Sequence, residues 1–560
     1  MTSYFPRRRS FRYLAPILFS ALLSGCTSLS DYLHNGLKVG PNYTEQPAPV
    51  ARQWIDAADI RVRSETDDLS QWWKVFNDPV LDDLVCHAYR QNLTLREAGF
   101  RILQARAQYG ITVGQFFPQS QTVSGGYTRT ATSLAALGGG TFGPAFGGGT
   151  GGTPAINRYF GLVSTNFGLA WELDFWGRFR RSIEASGAEL DASVENYDDV
   201  LVTMLGDIAS NYVQLRILQR QIELLRENAK VQREPIRIAQ ARFDLGRSTE
   251  LDLSQAKTTL SQTLAQIPQK EIAVRQVSNR LCVLLGIPPE ELDTRLAKQD
   301  IPETPKEVAV GIPADLLRRR PDIRRAERLA AAESARIGIA VAQLYPHISI
   351  NGTFGWQAPK LNQLFTPAAF QGSYGPYFQW DVLNYGRHLN NIRYQKAKFE
   401  EVVAAYQNKV LTAAEEVENG MALFLKSQDE VKHLADSVVE AKKALRIGAA
   451  EFEAGKVDFN RVAVLQLNLV QQENLLTQAR GDVALGLIQL YKALGGGWQI
   501  RCNGCPSDGS CPTPTALPVD AGAAAGVRAR FGQPRPGMDD GELTYRSTTR
   551  MSGSSNEPRP

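Results

Sequence analysis

Trp171-Glu172-Leu173-Asp174-Phe175-Trp176-Gly177-Arg178 returns later in the chain, altered, as Trp380-Asp381-Val382-Leu383-Asn384-Tyr385-Gly386-Arg387. Working outward, Phe243-Asp244-Leu245-Gly246-Arg247 meets Phe452-Glu453-Ala454-Gly455-Lys456. Gly177 to Gly246 and Gly386 to Gly455 both span 69 positions (246 − 177 and 455 − 386). Upstream, the stretch from Ala105 to Pro118 lines up with Glu333 to Pro346, so that Gly110 meets Gly338, Gln115 meets Gln343 and Pro118 meets Pro346. A repeat held at fixed spacing over such a length is a duplicated architecture. Between the Pro and the Trp the first copy is 19 residues longer (53 positions against 34), which fits the Gly-rich run from Gly138-Gly139-Gly140 to Gly152 and predicts a flexible surface loop.

The ruled segments read as helices. Val194, Tyr197, Leu201, Met204, Ile208, Tyr212, Leu215, Leu218, Ile222 and Leu225 step by three and four, as do Val403, Tyr406, Val410, Ala413, Val417, Met421 and Phe424. At 1.5 Å per residue each would run about 100 Å, far longer than a globular domain, and must pack on partners along its length. Pro268 falls inside a following helical pattern and predicts a kink.

The stretches before each ruler alternate instead. Val163, Thr165, Phe167, Leu169, Trp171, Leu173 and Phe175 take turns with polar or small residues. So do Ile348, Ile350, Gly352, Phe354 and Trp356, and again Tyr374, Pro376, Phe378, Trp380 and Val382, with Gln119 to Thr132 a weaker fourth. These are period-2 strands of membrane-strand length with aromatics towards their ends. No later run of about 20 apolar residues exists, so a membrane crossing has to be made by strands. Four strands cannot close, because single-chain barrels start at about eight and an open edge in hydrocarbon is not tolerated. The chain is expected to oligomerise. The soluble reading of the strands is an antiparallel sheet with one buried face.

The N-terminus reads as an address. Arg7, Arg8, Arg9 and Arg12 precede the short apolar run Tyr13 to Leu23, and Leu23-Ser24-Gly25-Cys26 resembles the bacterial lipobox. That likeness implies removal of residues 1–25 and a mature chain lipidated at Cys26, carrying palmitate, with Thr27 favouring sorting to the outer membrane. The bland reading is an ordinary signal peptide with a chance Cys. Charge is nearly balanced over 560 residues, 62 basic against 58 acidic, which gives no footing for nucleic acid. The five His have no motif partner, no Walker-type phosphate loop is present, and no metal or cofactor is expected.

Val39-Gly40-Pro41-Asn42-Tyr43, Trp72-Trp73-Lys74-Val75-Phe76-Asn77-Asp78-Pro79, the Trp171–Arg178 segment, Leu316-Leu317-Arg318-Arg319-Arg320-Pro321-Asp322-Ile323 and Leu494-Gly495-Gly496-Gly497-Trp498 occur in that order. Together they resemble the NodT/OprM lipoprotein branch of TolC-like outer-membrane efflux proteins, from about Cys26 to Trp498. The resemblance implies a mixed α+β fold, internally duplicated, with four transmembrane β-strands per chain. It implies a homotrimer in which these complete a twelve-stranded barrel, continued by a long periplasmic α-helical coiled-coil tunnel. It further implies an exit duct of a tripartite efflux or multidrug-resistance system, not an enzyme, taking small molecules or drugs from a periplasmic adaptor and an inner-membrane pump. The expected layout is a lipidated N-terminal segment 26–80, a first repeat 81–286 with strands within about 119–175, and a Pro-rich connector 287–315. A second repeat follows at 316–498, with strands within about 347–383, and then a tail 499–560 predicted to be disordered.

Gly177 and Gly386 should turn the backbone from strand to helix, with Arg178 and Arg387 reaching lipid phosphate or pairing with Glu172, Asp174 or Asp381. Gly246 and Gly455 should break the long helices into hairpins, which the resemblance makes the tunnel tip and gate. Arg247, Asp252, Lys456 and Arg461 offer both charge signs there and predict ion pairs holding the tip shut; the alternatives are solvated charges, or apolar packing around Val457, Phe459 and Val464. Related proteins often carry acidic residues near the second hairpin, where this chain has Arg461 and Val464; Asp252 in the first hairpin matches an acidic tip position. Cys502, Cys505 and Cys511 are a weak zinc or redox signal, and a local disulfide or plain disorder fits better. Cys86 and Cys282 read as core residues. The competing function is a structural coiled-coil lipoprotein or adhesin without a conduit; lipid-facing alternation in the strands separates the two. A periplasmic hydrolase would need a nucleophile, base and orienter that no motif supplies.

Overall fold

A computed structural model of the chain describes residues 29–65, 67–131, 159–246, 248–292, 296 and 299–503. The leader with Cys26, the Gly138–Gly152 insertion, Arg247 and the chain from Gly504, with Cys505 and Cys511, lie outside the described residues.

The duplication is visible in the helix lengths. Helices α1 (Pro79–Gln91) and α2 (Leu93–Gly114) lead into a strand pair, β1 (Ser120–Ala131) and β2 (Tyr159–Leu173). Helices α3 (Arg178–Asp244) and α4 (Glu250–Leu285) follow. The second copy has α5 (Pro321–Ala342), β3 (His347–Ala358), β4 (Phe370–Gln379), α6 (Arg387–Glu453) and α7 (Phe459–Ala493). Helices α2 and α5, which lead into the strands, have 22 residues each, and the ruled helices α3 and α6 have 67 each. At 1.5 Å per residue 67 residues extend about 100 Å. Helix α4 is unbroken through Pro268, and α3 through Pro235, which the heptad pattern does not announce.

The heptad positions face inward. Leu201, Met204, Ile208, Tyr212, Leu215, Leu218, Ile222 and Leu225 are buried, Val194 and Tyr197 half-buried, and all seven second-copy positions from Val403 to Phe424 are buried. One main core gathers the middle of α3 and α6 with the C-terminal parts of α4 and α7, α1, and Trp72, Trp73 and Phe76. Cys282 belongs to this core; Cys86 is half-buried. The connector between repeats is tied back by a short parallel bridge, Val308–Ala309 beside Val62–Arg63.

The sheet order is β1-β2-β3-β4, antiparallel throughout. The strand expected to reach about 383 stops at Gln379. An i→i+2 bond from Val382 N–H to the Trp380 carbonyl turns the chain there, as the Phe175 N–H to Leu173 bond does after β2. The ordered chain also continues past the boundary expected at 499. Ile500–Asn503 forms a helical turn, Ile500 is buried in the core, and the Arg501 guanidinium meets both oxygens of Asp198 at 2.7 and 3.0 Å. Asp198 is only 1% exposed, so its charge needs that partner.

The Leu316–Ile323 motif builds a buried joint. Arg320 donates to both oxygens of Asp322 at 3.0 and 2.7 Å, to Glu416 at 2.6 Å and to the Ala493 carbonyl at 2.8 Å, while Lys409 reaches Asp322 at 3.2 Å. One guanidinium thereby locks the start of α5 to α6 and to the end of α7. Burial pushes the Asp322 carboxyl up, but Arg320 and Lys409 outweigh it and hold the group below the usual carboxylate range.

Arg320→Ala leaves the buried Asp322 with Lys409 as its one remaining cation and should cost up to about 3–5 kcal/mol, the penalty for breaking a buried pair. The measurement is the melting temperature of the purified protein and its yield of assembled channel. A depressed folded-state pKa supplies stability above the unfolded value and loses it as pH falls through the folded one. In the parent, melting temperature should therefore drop as pH is taken below about 4, the free carboxyl range, and the drop should be smaller in Asp322→Asn.

Candidate functional site

The strand register sorts the sheet into two faces. Residues opposite each other across an antiparallel pair share a face. One row runs Val123, Phe167, Phe354 and Gly372; the next rows run Gln121, Leu169, Gly352 and Tyr374, then Trp171, Ile350 and Pro376, then Leu173, Ile348 and Phe378. The alternate rows run Ser124, Asn166, Gly355 and Gln371, then Thr122, Gly168, Thr353 and Ser373. One face is mostly apolar and aromatic, interrupted on β1 by Gln121 and Arg129, and the other is mostly polar, with Glu172 and His347 at its end nearest the helices. The apolar face is uncovered: Val123 is 79% and Tyr374 82% exposed. Among the described residues the outer strands β1 and β4 each have one neighbour, leaving two open edges. A sheet of this kind faces lipid on one side and water on the other once its edges are paired.

Each strand pair enters its long helix through a glycine in the left-handed region, Gly177 at φ +78° and Gly386 at φ +80°, where an L side chain is strained. The following arginine folds back on a carboxylate of the strand end. Arg178 donates to Glu172 at 2.7 Å and Arg387 to Asp381 at 3.3 Å. Asp174 instead accepts the Phe179 and Arg180 backbone N–H groups and the Arg180 side chain. His347, which no motif flagged, lies 2.8 Å from the second oxygen of Glu172.

At the far end Gly246 and Gly455 have left-handed φ and close the long helices. The expected ionic lock is not seen among the described residues, which do not include Arg247. Among the described residues neither Asp252, Lys456 nor Arg461 makes an ion pair. Asp252 is used as a helix cap: its carboxylate accepts from the Ser248 and Thr249 hydroxyls at 2.8 and 3.1 Å and from the Thr249 N–H at 3.3 Å, completing a capping box. Partial burial raises its pKa, and these bonds outweigh it and hold it low. What joins the hairpins is mainly apolar, with one hydrogen bond across from Arg242 to the Glu453 carbonyl at 2.8 Å. Ala256, Phe452, Phe459, Val462 and Ala463 form a separate cluster, with Phe452 and Phe459 edge to face at 5.7 Å and Arg242 over the Phe452 ring. Val464 is 58% exposed and turned away from it. Among the described residues no helix is long and apolar enough to cross a membrane, and no group of His, Cys, Asp and Glu is arranged to hold a metal ion.

The family model described as "Outer membrane efflux protein" matches residues 84–287 and 312–496. The chain belongs to that family. It is 30% identical over 497 residues to Nodulation protein T of Rhizobium leguminosarum bv. trifolii, covering 88% of this chain and 98% of that protein. It is 28% identical over 500 residues to the probable efflux pump outer membrane protein TtgC of Pseudomonas putida, covering 87% and 98%. Among solved structures it is similar to the outer-membrane channel OprN, with a TM-score of 0.74 and 30% identity over 82% of this chain and 99% of that one. The duplicated helices and the two-faced sheet are thus those of an outer-membrane efflux channel.

In this efflux protein the Val39–Tyr43 motif is a strap across the first junction. Arg180 donates to the Gly36 and Leu37 carbonyls at 2.6 and 2.7 Å, Arg181 to those of Val39 and Gly40 at 3.2 and 3.1 Å, and Lys38 pairs with Glu184. Trp176 stacks on Tyr345 at 4.4 Å and touches Tyr32, whose hydroxyl donates to the Phe175 carbonyl. Gly40, at φ +86°, crosses Gly338 so closely that an added Cβ would lie 2.4 Å from the Gly338 Cα. Nothing in the motif's residue types shows that Arg180 and Arg181 grip it; the signal was a dense basic run, Arg178 to Arg181, at a helix start where cations are disfavoured.

Gly40→Val should release the strap, through backbone strain and the clash with α5. Limited proteolysis should then cut near residues 36–43 at least tenfold faster than in the parent, with the α3–α6 core still protected. Equal cutting rates would mean that the close crossing does not hold the segment.

Proposed function

We propose that three copies of this chain close one channel, lipid-anchored at Cys26, which receives cargo from a periplasmic adaptor and an inner-membrane pump and releases it outside the cell. The observation that carries this reading is the two-faced sheet with two open edges. Four strands with an uncovered lipid-type face require partners, and the same chain supplies both a β1 and a β4 edge, so copies join head to tail into a ring. Tyr385 at the second junction is 96% exposed with φ +49°, while its counterpart Trp176 is packed under the strap. That uncovered junction fits a seat for the neighbouring copy.

The hairpin ends serve as the gate in this reading, held by the Phe452–Phe459 cluster. The gate positions are Gly246, Arg247, Asp252, Gly455, Lys456, Arg461 and Val464, with the two glycines setting where the helices turn back. The names of relatives support a role in export. TtgC of Pseudomonas putida is a probable efflux pump outer membrane protein, and another relative, OpmQ of the same species, is a pyoverdine export outer membrane protein.

Phe459→Ala empties the centre of the tip cluster, a change that costs about 3–5 kcal/mol for a buried aromatic. It should raise single-channel conductance in planar bilayers and sensitise cells to large antibiotics such as vancomycin. Unchanged conductance would move the gate away from this cluster. For the anchor, Cys26→Ala should abolish incorporation of radioactive fatty acid; equal label in mutant and parent would remove the lipid from the reading.

A further inference from the structure

The loop between β3 and β4 has a fixed shape. Leu361–Gln363 and Pro367–Ala369 each form a 3₁₀ turn, and the Thr366 hydroxyl donates to the Gln363 carbonyl at 2.9 Å. Leu364 is buried, while Leu361 and Phe365 are turned out, 70% and 72% exposed. From Ile348 to Gln379 the sequence holds one formal charge, Lys360. The loop thus presents two large apolar side chains, one cation and no acid.

These side chains extend the apolar face of the sheet. Trp356 and Phe370 lie opposite each other in the register, on the same face as Phe354 and Tyr374. The Phe365 ring packs edge-on against Trp356 at 5.7 Å between centroids, and Trp356 packs in the same way against Phe370 at 5.7 Å. Ala358, also on this face, is only 3% exposed, where Tyr374 further along is bare. The loop therefore leans over the apolar side of the sheet, and the exposed aromatic surface continues from the strands on to Phe365. A contiguous apolar surface of this kind marks a place of contact, unlike a single stray side chain.

The height of the loop fits the boundary between lipid and water. Strand β3 has 12 residues; at about 3.4 Å each and a tilt of about 40° it rises roughly 30 Å, against an apolar band about 25 Å tall. Its far end, away from the long helices, stands at the outer edge of that band, where aromatic side chains gather. Arg129, the one charged residue that the four strands place on the apolar face, sits at this end too, opposite Gly161 on β2. Resting on the reading that this face meets lipid in the closed barrel, we propose that the β3–β4 loop is a membrane-binding element that inserts Leu361 and Phe365 into the acyl layer of the outer leaflet. Lys360 has a stem long enough to keep its ammonium among the headgroups while Leu361 beside it is immersed. Repeated in each copy, the insertion resists movement of the barrel along the membrane normal.

The test uses the full-length channel in phospholipid vesicles whose acyl chains carry bromine on shallow carbons, with unbrominated vesicles as reference. Phe365→Trp should add emission over the parent. Bromine should remove about half or more of that added emission, and aqueous iodide should quench it weakly. Leu361→Trp should behave in the same way. Tyr374→Trp, on the strand, reports the underlying reading. Bromine quenching at 374 with none at 361 and 365 overturns the loop proposal alone. No bromine quenching at any of the three overturns the lipid-facing sheet, and the proposal with it. Shielding of 361 and 365 from bromine and iodide alike also overturns the proposal, and identifies protein, such as a neighbouring copy, as what covers the loop.

Discussion

A backbone N–H or C=O that enters hydrocarbon has to find its hydrogen-bond partner within protein, since the lipid offers none. In this chain that demand falls on four strands of 12, 15, 12 and 10 residues. They satisfy one another across three pairings and leave two edges bare. Much of the architecture answers that deficit. The apolar rows are aligned across all four strands, so the whole sheet presents one face to lipid, and a one-residue slip at any pairing would send aromatics into the water-filled side. The long helices then hold the sheet at a set height. A 67-residue helix is stable only with partners along its length, and the paired ruler supplies a second helix of the same length from the same chain.

Duplication gave two equal frames, and the chain then treats them unequally. Both junctions keep the glycine and the arginine-on-carboxylate contact. Only the first is covered by the N-terminal strap, which fills the space beside Gly338; the counterpart Gly110 has nothing within van der Waals reach of an added Cβ. The aromatic before each glycine follows suit, Trp176 stacked and Tyr385 bare. The N-terminal segment therefore caps one of two similar surfaces and leaves the other open to whatever adjoins it. Lys38 illustrates how tightly: a Cβ on Gly177 would meet the Lys38 backbone at 2.8 Å, while the space around Gly386 holds only the Asn390 side chain.

Much of this was legible in the residues, because it rests on periodicity. The 69-position ruler marks where the long helices start and stop, and the heptad positions from Leu201 to Leu225 and from Val403 to Phe424 are buried. Period-2 alternation finds the four strands. What was not legible depends on which group satisfies which. The alternation of Trp380 and Val382 continues β4 on paper, yet one backbone bond at Trp380 ends it. Ile500 and Arg501 look like the start of a polar tail, and their role appears only when Asp198 is seen buried across the chain. The acid at Asp252 had a readable cue, Thr249-x-x-Asp252, which is capping-box spacing, but beside Arg247, Lys456 and Arg461 it looks equally like half of an ion pair. Charge lists carry no information about who is already hydrogen-bonded.

The distribution of burial explains why the hairpin end, and not the middle, is suited to move. The main core draws on α1, α3, α4, α6, α7 and the start of α5, together with the connector and the Trp72–Phe76 turn, and the Arg320 joint ties α5, α6 and α7 at once. Toward the tip the core thins to Val438, Ala441 and Leu469, and then to the five residues around Phe459. Opening free energy follows the apolar contact that must be undone, so the same chain has a rigid waist and a loosely held end. A hairpin fixed by one aromatic pair and a few caps shifts without disturbing Asp322 or Asp198. A movement begun at mid-height would have to break buried ion pairs first.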